Sequence, residues 1–139
     1  MNSVEQFAEK KYFVTKCFKN ATDCDKYLHR MFALRDNGEL DPTDSQVVGS
    51  LAAYGKFDDL LEEKCADIGN IIGKKLYPTY TYARIYGAGQ QMIAHKDRPS
   101  CEYSATLTLG HSTPKPWPIY FGPEEESILA GPSTELFLE

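Results

Sequence analysis

The sequence predicts an α+β protein in which helices come first and strands second. Two observations carry that expectation. Apolar residues recur at helical spacing over 23–36 and again over 57–76, whereas after Pro78 aromatic and β-branched residues alternate with polar ones. Helices and strands segregated along the chain pack as helices on the outside of an antiparallel sheet or barrel. A chain of 139 residues, 42% hydrophobic and 12% aromatic, suits one domain over 1–139 with a real core. Residues 1–78 then supply a first strand and supporting helices, and residues 79–139 supply the core strands.

The elements follow in order. "KYFVTKCF", residues 11–18, is rich in strand-forming residues and leads into "KNATDCD", where Thr22 or Asp23 caps a helix. Tyr27, Leu28, Met31 and Phe32 mark one face of that helix, expected near 23–36, and Asn37-Gly38 supplies its stop. Residues 39–55 read as a long connection in which "SQVVGSLAAYG" holds a short strand or turn. Phe57, Leu60, Leu61, Cys65, Ile68, Ile72 and Leu76 lie on one face of a helix of about five turns that ends before Pro78. "TYTYARIYG", "EYSATLTLG" and "WPIYFG" then read as strands.

Composition excludes several function classes. A net charge of -5 and a pI near 5.2 provide no basic field for a phosphate backbone, so no nucleic-acid partner is expected. "MNSVEQFAEKKYFVTKCF" lacks the basic start and long apolar run of an export signal, and no stretch approaches the roughly 20 apolar residues of a membrane span. A cytoplasmic protein without membrane contact is the expectation. Cys17, Cys24, Cys65 and Cys101 lie far apart with no CxxC pair and read as buried, reduced thiols.

The chemistry centres on "YARIYGAGQQMIAHKDRPSCEYSATLTLG", residues 82–110. His95 and Asp97, two apart at a strand end, project to one side and suit a shared divalent ion. By itself HxD is a weak signal, and a surface histidine beside a solvated aspartate is the alternative. Tyr86, Gly87, Gly89, Gln90, His95 and Asp97, followed by the alternating strand 103–109, carry the context. That run resembles the iron(II)- and 2-oxoglutarate-dependent dioxygenases, in particular their prolyl-4-hydroxylase-like branch, most specifically over residues 80–122.

The resemblance implies a double-stranded β-helix, a jelly-roll barrel related to the cupins, with the metal in its mouth. It implies that His95 and Asp97 hold iron(II) and that the cosubstrate 2-oxoglutarate binds beside them, with Tyr86 donating a hydrogen bond to it. It also implies that oxidative decarboxylation to succinate and carbon dioxide drives hydroxylation of a C–H bond, in this branch of a prolyl or other peptide substrate. Arg84, on the same strand face as Tyr86, is the candidate fork for the distal carboxylate of 2-oxoglutarate, with Arg98 as the other choice. Ser104, Thr106 and Thr108 share a strand face, and Thr106 is the candidate hydroxyl for the cosubstrate. Trp117, among Pro114, Pro116 and Pro118, either lines a peptide groove or anchors its loop, and Gly87 and Gly89 read as hairpin or bulge glycines rather than a phosphate loop.

The sequence departs from the family pattern at its C-terminal end. The family's third ligand is a distal histidine followed by Arg or Lys, and residues 122–139 contain none of these. His111 is a poor substitute, since the strand 103–109 carries it roughly 20 Å away at about 3.3 Å per residue. His29 reads as a helix-surface residue. The barrel is thus expected to be short at that end, with self-association through the exposed edge after Trp117. Two alternatives stand beside the dioxygenase: a catalytically incomplete binding or interaction module of the same fold, and a cupin-like metal enzyme that uses no 2-oxoglutarate.

Overall fold

A computed structural model describes residues 2–15, 21–93, 95, 97, 99–115, 118–121 and 134–137. The elements are α1 (Ser3–Lys10), α2 (Ala21–Asp36), β1 (Leu51–Tyr54), α3 (Asp58–Ile72), β2 (Tyr82–Ile85), β3 (Pro118–Phe121) and β4 (Thr134–Phe137). β1 pairs antiparallel with β2, Ala52 opposite Arg84, and β3 pairs antiparallel with β4, Ile119 opposite Leu136. These are two two-stranded sheets, and a double-stranded β-helix is not shown by the described residues. Among the described residues no helix is long and apolar enough to cross a membrane.

Helix α1 was not expected from the strand-like run that follows it, yet its signal is local. Asn2 is the N-cap: its side-chain oxygen accepts the Glu5 N–H at 2.8 Å, and its amide donates to the Glu5 carboxylate at 3.2 Å. Lys11 ends the helix in the left-handed region, at φ 67°, with its N–H on the Phe7 carbonyl. The strand expected over 11–18 is corrected for residues 12–15, which join no ladder; residues 16–18 lie outside the described residues. Enrichment in β-branched and aromatic residues states only that a segment fits a pleated surface, and among the described residues no strand pairs with this one.

Helix α2 covers the expected 23–36 but begins at Ala21, so Thr22 and Asp23 lie in its first turn rather than capping it; it buries Tyr27 and Met31. Those two join Leu40, Ala53 and Phe57 in the core, with Leu34, Leu51, Leu60, Ala83, Ile85 and Leu109 packed around them. Arg30 closes one side of this core. Its guanidinium lies 5.0 Å from the Tyr27 ring and 5.2 Å from the Phe57 ring while both terminal nitrogens grip Asp59, at 2.7 and 2.9 Å. That hydrogen bonding holds the Asp59 carboxyl down at about 2.

Helix α3 follows its apolar face as expected but stops at Gly73, a turn short of Leu76. Gly73 adopts φ 76° and returns its N–H to the Gly69 carbonyl at 2.8 Å, the left-handed cap that glycine adopts at least cost. The stop is therefore Gly73 and not the approach to Pro78. Gly69 matters for a different reason, because a Cβ there would stand 2.5 Å from the Lys74 carbonyl oxygen. Gly69→Ala, which raises helix propensity, is nonetheless expected to destabilise the protein by about 1–3 kcal/mol through overpacking. Urea denaturation checks this, and a stabilised variant would contradict the close packing.

Strand β2 alternates as its sequence predicts. Ala83 and Ile85 pack on the core, while Tyr82 and Arg84 occupy the opposite face. Residues 104–110, expected to continue a strand from Tyr103, carry no ladder. Instead Tyr103 stands 6.1 Å from the Phe7 ring and Leu109 packs on the core, so an extended segment inserts its ends without pairing its backbone. "WPIYFG" does contain a strand, β3, and β4 lies within "TELFLE". Cys24, Cys65 and Cys101 form no disulfide among the described residues and are half-buried rather than buried; Cys17 lies outside the described residues.

Candidate metal centre

The loop after β2 turns at Gly87–Gln90, with Gly89 at φ 78° and the Gln90 N–H on the Gly87 carbonyl. The Gln90 side chain closes the same turn by accepting the Gly87 N–H at 2.7 Å. This is a turn, as the glycine spacing predicts, and it delivers the chain to His95 and Asp97.

His95 and Asp97 stand in no strand, so the strand-end geometry expected for them is corrected; their side chains nonetheless converge. His95 Nε2 lies 3.4 Å from Asp97 Oδ1. The other atom of each group is already held: His95 Nδ1 is 2.7 Å from the Ile93 carbonyl oxygen, and the Ser104 hydroxyl donates to Asp97 Oδ2 at 2.6 Å. A carbonyl only accepts, so Nδ1 carries a proton, and a ring with that single proton presents the Nε2 lone pair to Asp97. In that tautomer two acceptors face each other. Their separation exceeds the roughly 2.7–2.9 Å of a charge-assisted hydrogen bond. Two ligand atoms each about 2.1 Å from one ion stand about 3.0 Å apart at a right angle and about 3.4 Å apart at a tetrahedral one. The pair fits a common divalent cation with little movement.

The donor set also fits. An imidazole nitrogen and a carboxylate oxygen suit iron(II) among other divalent ions, and a histidine that donates its second nitrogen to a backbone carbonyl has the usual outer support of a metal ligand. Number is where the fit is partial: among the described residues no group of three His, Cys, Asp or Glu side chains is placed to hold a metal. His29 is exposed on α2, and His111 Nδ1 pairs with the Thr113 carbonyl in its own loop at 2.8 Å. Side-chain exposure is 23% for His95 and 48% for Asp97, so the pair faces solvent.

The expected cosubstrate residues are placed differently. Arg84 is committed inward: Nε donates to Asp44 Oδ2 and Nη2 donates to Gln46 Oε1 at 2.8 Å, while the guanidinium stacks 4.5 Å from the Tyr82 ring. Side-chain exposure is 13% for Arg84 and 4% for Asp44. Burial pushes the Asp44 carboxyl up, but hydrogen bonds from Arg84, the Gln46 N–H and Tyr82 outweigh it, and the group lies below its ordinary range. Burial likewise opposes the charge on Arg84, and Asp44 and Tyr86 more than restore it. Tyr86, 40% exposed, therefore meets Arg84 on the outer face of the strand. Ser104 is the hydroxyl that reaches the pair; Thr106 is exposed, and Arg98 and Trp117 lie outside the described residues.

Sequence reasoning missed Asp44 and Gln46. Their signal was the Asp-rich "DPTDSQ" run, which turns through Asp41 Oδ1 accepting from the Thr43 N–H and Asp44 Oδ1 accepting from the Gln46 N–H. Compared with family models, with curated proteins and with solved structures, the chain matches none.

Proposed function

We propose that the chain is an iron(II)- and 2-oxoglutarate-dependent dioxygenase that hydroxylates a C–H bond, with a prolyl or other peptide as substrate. The observation that supports this most is the convergence of His95 Nε2 and Asp97 Oδ1 at 3.4 Å with their remaining atoms held by Ile93 and Ser104. His95 and Asp97 would hold iron(II), which when bound supplies the one-electron and O2 chemistry that side chains lack. The chain's own contribution is to orient the imidazole by the Ile93 carbonyl, to direct one carboxylate oxygen at the metal by the Ser104 hydroxyl, and to leave the site open for 2-oxoglutarate. The reading carries the double-stranded β-helix and the third ligand as further proposals. Because Arg84 already has Asp44, a cation other than Arg84 is proposed for the distal carboxylate of 2-oxoglutarate.

The test is anaerobic titration of the reduced full chain with iron(II), then 2-oxoglutarate, followed by air and a succinate assay. A spectral change of bound iron on adding 2-oxoglutarate, with succinate release, is expected; absence of both overturns the reading. One alternative is favoured by the commitment of Arg84 to Asp44 and the solvent-facing pair: an interaction module of the same fold without turnover, whose metal affinity is only that of two ligands. Bound iron whose spectrum ignores 2-oxoglutarate would instead point to a cupin-like metal enzyme.

A further inference from the structure

Among the described residues, those of the loop that carries His95 stand exposed rather than packed on the core. Met92 and Ile93 precede the histidine and are both exposed, at 41% and 57%. What meets the loop is the segment 44–50. The Ile93 N–H donates to the Gln46 carbonyl at 2.8 Å, and the Ile93 carbonyl in turn faces His95 Nδ1 at 2.7 Å. Gln46 is itself fixed at two points, its N–H on Asp44 and its side-chain oxygen on Arg84. A second contact supports the same placement: at Gly49, with φ 87°, a Cβ would stand 3.1 Å from the Gln90 side-chain nitrogen, so the two loops also approach closely where glycine leaves room.

We propose that Gln46, anchored by Arg84 and Asp44, is a positioning residue for the His95–Asp97 pair: it holds Ile93, whose carbonyl selects the imidazole tautomer that turns Nε2 toward Asp97. The proposal rests on the reading of this pair as a metal site, and extends it from the ligands to the buried ion pair behind them. The logic is one of direction. A neutral imidazole carries one proton, and a carbonyl within hydrogen-bond reach of Nδ1 draws that proton there and frees Nε2 as a ligand. Move Ile93, and the ring loses both its orientation and its reason to prefer that tautomer. Arg84 thus serves the site from behind, through Gln46.

The metal-free full chain, labelled with 13C and 15N in histidine, gives the tautomer of His95 by NMR above the ordinary histidine pKa, with His95→Gln identifying its signals. The Nδ1–H form is expected. Gln46→Ala, which keeps the backbone carbonyl for Ile93 but releases it from Arg84, should mix the tautomers and weaken iron(II) binding, measured anaerobically, by up to about 10-fold, the low end of the loss for a direct outer-shell partner. Gln46→Glu, which keeps an oxygen for Arg84 Nη2, should restore both to within a few-fold. An Nε2–H tautomer in the wild type, or a folded Gln46→Ala with unchanged tautomer and affinity, overturns the proposal. If Gln46→Ala does not fold, the wild-type tautomer and the exchange rate of the Ile93 amide decide it, an unprotected amide counting against it. A wild type that shows the Nδ1–H form and a protected Ile93 amide but releases no succinate supports the positioning and removes the dioxygenase reading alone.

Discussion

If the proposed dioxygenase reading holds, replacing His95 with alanine is expected to lower iron(II) affinity by more than about 100-fold and to end 2-oxoglutarate-dependent succinate release. Outer-shell partners of metal ligands are worth about 10–100-fold, and a direct ligand exceeds them. With a single imidazole and a single carboxylate converging at this point, losing either leaves one protein donor there. Asp97→Ala should therefore match His95→Ala, whereas Ser104→Ala, which only frees the second carboxylate oxygen, should fall in the outer-shell range. Anaerobic titration with iron(II) and a succinate assay measure all three. Equal affinity in wild type and His95→Ala would remove the metal centre from this loop.

Asp44→Ala is expected to cost about 3 kcal/mol of stability, the largest loss of any surface-loop substitution here, because it leaves the Arg84 charge buried without its carboxylate. Removing both charges should recover much of that loss, so Asp44→Ala combined with Arg84→Met should be more stable than Asp44→Ala alone in urea denaturation. The pH dependence follows from the direction of the Asp44 shift. Its folded pKa is depressed, so its contribution is fully present above the unfolded value near about 3.9 and is lost as pH falls through the lower folded value. Asp44→Ala should accordingly flatten stability against pH below about 4. A cost under about 1 kcal/mol would mean that the pair behaves as an exposed ion pair.

Periodicity was the dependable signal along the chain. The apolar stripe that predicts α2 is the one that buries Tyr27 and Met31, and the alternation in "TYTYARIYG" puts Ala83 and Ile85 on the core with Tyr82 opposite. Local chemistry was also readable: Asn2 three residues before Glu5 is an N-cap signature, and "GAGQ" is a turn. Strand propensity failed where no partner exists. "KYFVTKCF" and "EYSATLTLG" carry the same residue types as β2, but residues 12–15 and 104–110 join no ladder among the described residues, because a ladder needs a second backbone that propensity does not supply.

The sequence by itself named the two chemical groups of the candidate site and placed them two residues apart, although the strand that was to turn them to one face ends at Ile85. Only the tertiary structure decided how each group is directed. Ile93 and Ser104 take the second atom of each ligand, and Asp44 and Gln46, some 38–40 residues earlier in the chain, claim the Arg84 fork that spacing had assigned to a cosubstrate. The physical reason is that a hydrogen bond depends on distance and angle in space. Residues far apart in sequence acquire both only when β1, β2 and the 41–50 segment are packed together.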